Sequence, residues 1–426
     1  MSNASNASIA GPDMAARMAK RRAAESRFRF YGRASVLFAL TALGWLLVSI
    51  FATGLSAFTQ HWVTLDLDVA QAGDNDRRAL AEAMAAKLEI PANTLAADGA
   101  LRRDLLSLIS ASAATAQMRQ RETGEGTAGR MILTVPLSDR SNRYFKGRID
   151  LETPETQRLL SDRQAGWLDA WAAQGRVDRR FASGLFANPD SRDPERAGLA
   201  SALFGSVMIV LISGALAIPV GIGAAVYLDG FAPRTGWGGH MTRMLEVSIN
   251  NLAAVPAIVF GLLGLAIFIN VLGLARSIPL VGGLVMALRM FPTVVIASRA
   301  ALQAVPDSLT DSALSLGASR MQAMFGHKVP VAAPAMLTGS IIGMAQALGE
   351  TAPLLMIGMV AFVTAIPDTP LDPATALPVQ IFLWSGSAET AWAERASAAI
   401  IVLLAVLMLI NGVAVVLRER LQRRTS

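Results

Sequence analysis

The sequence predicts a mainly α, polytopic membrane protein with six transmembrane helices and a small α+β extracytoplasmic domain between helices 1 and 2. Composition is the first sign. Of 426 residues, 53% are hydrophobic and 16% charged, and mean hydropathy is +0.44, too apolar for a soluble chain of this size. Six long apolar runs are the second, at 34–58, 199–228, 251–271, 279–302, 332–360 and 397–417. The third is the change of character over 59–198, which mixes charges with only short apolar stretches.

Residues 1–33 form a tail rich in small residues and then basic ones, Arg17, Lys20, Arg21, Arg22, Arg27, Arg29 and Arg33, and read as a flexible cytoplasmic segment. The run 34–58 has about 25 residues, enough at roughly 1.5 Å each to cross a hydrocarbon core of roughly 30 Å. A cleaved signal peptide is the competing reading, but its apolar core is usually about 7 to 15 residues. The basic flank orients the N-terminus inward and sends the residues after Phe58 outward.

Within 59–198, residues 62–69 alternate like a half-buried strand, and 131–135 suggest a second. Residues 76–88 and 101–118 carry helical periodicity, as do 154–173, where Trp167 and Trp171 stand at i and i+4. That spacing puts both indoles on one face, which reads as core rather than as a contact surface for an external partner. The polar, proline-broken stretch 188–196 reads as a linker into a membrane core at 199–417.

Charge placement supports the topology. Segments expected inside carry Arg234, Arg243, Arg320, Lys328, Arg418, Arg420, Arg423 and Arg424, whereas the outer loop 361–394 holds Asp368, Asp372, Glu389 and Glu394 without Lys or Arg. Arg276 and Arg395 run against the trend. Six crossings return the tail 418–426 to the cytoplasm.

Little in the chain suggests covalent chemistry. It has no cysteine, and His61, His240 and His327 offer no metal-ligand spacing. The G-x-x-x-x-G-K-[ST] phosphate loop is absent, so ATP would have to be hydrolysed by another polypeptide. A net charge of +6 comes from arginines beside apolar runs, where they set membrane orientation rather than bind nucleic acid.

The polar segment 304–330 interrupts two apolar runs and reads as helix, glycine break, helix. Pro306 ends the preceding run, Ser308 is placed to cap the next helix with Asp311 three residues on, Gly317 stands at a C-terminal cap, Ser319 caps again, and Pro330 marks the next boundary. An ordinary loop between membrane helices shares these features; the spacing adds more. Asp311-Ser312-Ala313, Gly317 four residues later and Pro330 thirteen after that resemble the EAA loop of ABC-importer permeases, although Asp311, Ser312, His327 and Val329 replace the usual Glu, Ala, Ile and Leu. The stretch Ala347-Leu348-Gly349-Glu350-Thr351-Ala352-Pro353-Leu354-Leu355 resembles the signature of PstA-type phosphate-importer permeases. With 251–264 and 304–309, the resemblance covers 199–417, and only some such permeases carry an extension like 1–198.

The resemblance implies a type I ABC-importer permease architecture in a bacterial inner membrane, both termini cytoplasmic. It further implies a coupling loop seated in the ATPase, inorganic phosphate as substrate, and no cofactor in this chain, ATP and Mg being bound by the partner. The implied partners are a PstC-like second permease, a dimer of PstB-like ATPases and a periplasmic PstS-like binding protein. A permease for sulfate or molybdate shares the loop, and a membrane sensor also accounts for 59–198.

Three ionisable residues fall inside the apolar runs, Arg289, Arg299 and Glu350, each costing at least roughly 2.5 kcal/mol at a helix centre unless paired or wet. Arg289 lies midway along its run, where a fork of donors suits an oxyanion. Glu350 repels such an anion and is read as Arg289's partner; a purely structural pair is the alternative. Arg299, near the inner end, is assigned to the substrate path or snorkels, and Thr351 is assigned to the path beside Glu350. Gly339 and Gly343 make a small-xxx-small step, with Gly349 farther along.

Overall fold

The computed structural model describes residues 12–68, 76–122 and 130–425. Two compact units divide the chain, 1–52 and 53–426. The first helix, α1 (Pro12–Gly54), runs through most of the expected tail, which is therefore helical rather than flexible from Pro12 onward. The reason lies in composition: Ala, Met, Arg, Lys and Glu are good helix formers, and proline suits a first helical position. Residues 1–11 of that tail lie outside the described residues, as do Val69 and Ser426. The apolar side chains of Phe38 and Trp45 on α1 are exposed, as on a surface that faces lipid.

After a 3-10 turn at Leu55–Phe58 comes strand β1 (Thr59–Asp68). The chain continues through α2 (Asp76–Lys87), α3 (Ala92–Ala97), α4 (Gly99–Leu106), α5 (Ala111–Glu122), β2 (Arg130–Pro136), α6 (Asp139–Phe145), α7 (Asp162–Ala173), β3 (Val177–Phe181) and α8 (Gly184–Ala187). The sheet is antiparallel in the order β2-β1-β3, with Val63 opposite Val135 and Leu65 opposite Leu133. Val63, Leu65, Leu80, Met84, Leu105, Leu133, Leu168 and Trp171 are fully buried, so alternation on β1 meets helical stripes in one core. Trp167 is only partly buried at the edge of that core, under the Arg163 guanidinium at 5.3 Å. The periodic stretch 101–118 is two helices, because Ser107 to Ser110 leaves the helix and Ile109 bridges to Leu137. The stretch 154–173 makes a 3-10 turn at Glu155–Gln157 and becomes α-helical only at Asp162, where Ser161 and Gln164 form a capping box.

The membrane part comprises α9 (Ala200–Gly230), α10 (Gly236–Ala253), α11 (Ala257–Gly264) with a π-helical continuation Leu265–Val271, α12 (Pro279–Gln303), α13 (Asp307–Ser315), α14 (Arg320–Ala323), α15 (Val329–Gly349), α16 (Ala352–Met356), α17 (Leu377–Ser385) and α18 (Thr390–Thr425). Among the described residues, five helices are long and apolar enough to cross a membrane, and a sixth crossing exists if α10 and the helix Ala257–Val271, bent by 101°, make one span. The run 251–271 is thus not a straight helix. Pro256 pushes Val255 out of helical geometry, and α10 extends into residues expected to be a loop. The expected span 332–360 stops at Gly349, and the outer loop 361–394 contains α17 with Leu377, Val379 and Trp384 buried.

Helices α12 and α15 touch at the glycine step. A Cβ on Gly339 would lie 2.2 Å from the Ala297 Cβ, and one on Gly343 would lie 3.0 Å from the Met290 Cγ. Gly349 meets nothing within 4 Å and takes no part.

Charged side chains join the α+β domain to the first turns of α18. Lys146 Nζ donates to Glu394 Oε1 at 2.8 Å, both side chains being 7% exposed, and Ser56 also donates to that carboxylate. Arg395 is buried and donates to the Glu195 carbonyl at 3.3 Å, which explains a basic residue where orientation disfavours one. Burial pushes the Lys146 ammonium below its ordinary range against the pull of Glu394, and pushes the Asp139 carboxyl up.

Candidate functional site

Arg289 projects from the middle of α12 and Glu350 from the break that follows α15. The break has a cause in the sequence. Were α15 to continue, the Pro353 ring would clash with the carbonyl of Gly349 four residues back. The helix instead stops at Gly349, Glu350 takes an extended conformation at φ −83°, ψ 128°, and α16 restarts with Pro353 in its first turn, where its missing N–H does no harm. Unwound backbone at this depth in a membrane protein is tolerated where it is packed by protein or lines a cavity.

The Arg289 Nη2 donates to Glu350 Oε1, and the side chains remain 23% and 26% exposed. The pair is therefore removed from water over about three quarters of each side chain. Thr351 is next along the backbone; its side chain makes no cap to α16, and its carbonyl accepts from the Leu355 amide at 3.0 Å. The surroundings are fixed by apolar packing. Phe260, Val285, Leu354, Ile357 and Met359 form one buried cluster, and a Cβ on Gly261 would lie 2.7 Å from the Pro353 Cα, so α11 closes directly on the broken segment.

Arg299 is not part of this pair. It stands ten residues farther along α12, about 15 Å away along the helix axis, and its Nη2 donates to Glu246 of α10 at 2.6 Å. The two flank a cavity of about 280 Å³ also lined by Asn250 and Gln303. Glu246 is a residue that sequence reasoning missed, because the low apolar content of 236–250 reads as a loop. Its signal was the unbalanced Arg299, whose charge in a span demands a partner.

The segment 304–330 forms two short helices joined by a glycine turn. After α13, the Gly317 amide donates to the Leu314 carbonyl at 2.9 Å and the Ala318 amide to the Ala313 carbonyl at 3.1 Å, a Schellman pair that requires Gly317 at φ +91°. Ser319 and Gln322 then make a capping box for α14. One expectation is corrected here: Ser308 does not cap α13, whose N-cap is Pro306, and the Ser308 carbonyl accepts from the Ser312 hydroxyl instead. Pro330 stands in the first turn of α15, where the apolar run begins, and a π-helical turn, Met324–Lys328, joins α14 to it so that helix runs from Arg320 to Gly349.

Asp311, Ser312 and Gly317 are exposed on this segment while Ala313 is buried. Leu316, 90% exposed, and Met321 and Phe325, both more than half exposed, add apolar surface. An exposed apolar patch on a polar segment suits insertion into another protein. At its base, Lys328 Nζ donates to Asp229 Oδ2 of α9 at 2.8 Å, with side-chain exposures of 10% and 6%, and Asp307 lies 3.7 Å away. Replacing Lys328 with Met strands the Asp229 carboxylate and is expected to destabilise the protein by about 3 kcal/mol. Thermal unfolding of detergent-purified protein then falls by several degrees and recovers in the double variant with Asp229→Asn. An unchanged melt in the single variant contradicts this role.

A family model described as a domain of unknown function matches residues 15–155, and one described as a binding-protein-dependent transport system inner membrane component matches 217–426. The probable ABC transporter permease protein YqgH of Bacillus subtilis is 30% identical over 225 residues, 51% of this chain and 70% of that one. The phosphate transport system permease protein PstA 1 of Mycobacterium tuberculosis is 31% identical over 264 residues, 61% of this chain and 79% of that one. A solved structure of the MetNI methionine ABC transporter in an inward-facing conformation is similar at 15% identity and TM-score 0.42, over 52% of this chain and 95% of that one.

Proposed function

The chain belongs to the binding-protein-dependent transport system inner membrane components as a PstA-like permease, and from that membership we propose that it is the permease subunit through which an ATP-driven importer moves inorganic phosphate. It is a membrane transport component, not an enzyme. The observation that carries the substrate reading is the Arg289–Glu350 pair at a helix break within the spans. Glu350 takes one nitrogen of the guanidinium and holds its orientation, and the remaining donors of the fork suit phosphate oxygens.

The family works with an ATPase and a substrate-binding protein. In this reading these are a PstB-like dimer, which binds ATP and Mg, and a PstS-like protein, with a PstC-like second permease completing the path. The α+β domain lies outside the inner membrane and both termini lie inside. ATP-driven closure of the nucleotide dimer moves α13, with Asp311 and Ser312 on its exposed face and Ala313 on its packed one, as a rigid lever whose joint is Gly317. The lever's continuity through Pro330 into α15 supports this coupling, because Glu350 stands at the far end of the same helix.

The test is ATPase stimulation in reconstituted complexes. Phosphate-loaded binding protein raises the rate, whereas sulfate and molybdate, the other oxyanions this lining could suit, leave it at the basal level. Stimulation by either of them at the level of phosphate contradicts the assignment.

The extension is an accessory body in this reading, anchored rather than conducting. Deleting 59–198 and bridging the gap with a flexible linker strands Glu394 and Arg395 at the head of α18, so the deletion alone is expected to assemble poorly. Adding Glu394→Gln and Arg395→Gln restores assembly and measurable uptake. Complete loss of uptake in that inserted, assembled protein overturns the accessory role.

A further inference from the structure

Phe58, Phe181 and Phe186 stack on one another with ring centroids 6.0 to 6.4 Å apart, yet Phe181 is 60% and Phe186 39% exposed. Phe58 is partly buried, and a soluble domain gains nothing from stacking two further rings on it in water. Such a patch marks a surface that something apolar covers.

Chain connectivity identifies the cover. Phe58 ends the candidate span Lys20–Phe58. The Ala182 amide donates to the Phe58 carbonyl at 2.8 Å, tying the end of β3 to that point, and the Leu199 amide donates to the Leu185 carbonyl at 2.7 Å, tying α8 to the start of the next span. The three rings therefore sit where the chain leaves the membrane and where it re-enters. Phenylalanine is among the apolar side chains that interfacial segments bury at the boundary between headgroups and acyl chains.

Charge fits as well. Arg179 precedes Phe181 by two residues on β3, hence on the same face and about 7 Å farther along the strand, and it is exposed. β3 pairs antiparallel with β1, Phe181 opposite Thr59 and Arg179 opposite His61, so Arg179 stands two residues farther along the sheet from Phe58 than Phe181 does.

We propose that the Phe58–Phe181–Phe186 cluster is a membrane-interface anchor that rests the α+β domain on the adjacent phospholipid leaflet, Arg179 meeting the headgroups. The proposal goes beyond the transport reading and does not depend on which solute is carried.

The absence of cysteine gives a clean test. Single variants Phe181→Cys, Phe186→Cys and Ser183→Cys, the last leaving all three rings intact, are spin-labelled in the full chain in vesicles of phosphatidylethanolamine and phosphatidylglycerol. Leu159→Cys, at an exposed position elsewhere in the domain, serves as a water-side control. Collisions with oxygen are expected to exceed those with a water-soluble nickel chelate at the three cluster positions and to fall below them at the control. Nickel-dominated collisions at all three overturn the proposal, and exclusion of both reagents overturns it in favour of a protein partner.

Discussion

Exchanging the two charges, Arg289→Glu with Glu350→Arg, is expected to give a complex that assembles but does not import. Removing Glu350 alone, as Glu350→Gln, leaves a largely desolvated guanidinium without its counter-ion and costs about 3 kcal/mol, at the low end for buried pairs because a quarter of each side chain is open. The swap restores opposite charges across the same gap, so assembly returns. Transport does not, since the positive charge now projects from an unwound stretch while α12 presents a carboxylate to the anion. Loss of a desolvated charged contact corresponds to at least about 2 kcal/mol, or roughly 30-fold in uptake. Full uptake in the swapped protein makes the pair purely structural and removes Arg289 from the path. Failure of the swap to assemble contradicts the pairing argument itself.

Gly317→Val is the second large effect. A Cβ at this position meets nothing within 4 Å, so crowding is not the cause of the expected loss; the backbone at φ +91° is. A β-branched residue resists that conformation by about 1 to 3 kcal/mol, and the chain relieves the strain by giving up the two Schellman hydrogen bonds that aim α13. Uptake is expected to fall roughly tenfold or more, with Gly317→Ala in between, while membrane insertion is unchanged. The order glycine, alanine, valine in uptake, measured at equal protein in the membrane, checks the cause. Full transport and normal ATPase binding by Gly317→Val contradict the lever.

Much of the site is legible in the sequence alone. Uncompensated charges in apolar runs need partners, so Arg289 and Glu350 can be paired on paper, and the Gly317 cap and Ser319 capping box come from local chemistry. Hydropathy, by contrast, cannot see a proline clash. The runs 251–271 and 332–360 stay apolar straight through Pro256 and Pro353, so the breaks that shape the site are hidden inside apparently simple spans. Glu246 is lost for the opposite reason: glycines and polar residues between Gly236 and Asn250 lower the hydropathy of a real helix. Strand β3, Val-Asp-Arg-Arg-Phe, is exposed at four of five positions and carries no alternation to read.

Passage of phosphate by way of Arg289 is tested by ATP-driven uptake of radiolabelled phosphate into vesicles holding the assembled complex. Accumulation is expected to require ATP and the binding protein, to be abolished by excess unlabelled phosphate but not by sulfate, and to drop at least about 30-fold in Arg289→Gln complexes of equal amount. Uptake by Arg289→Gln at the unsubstituted rate contradicts it.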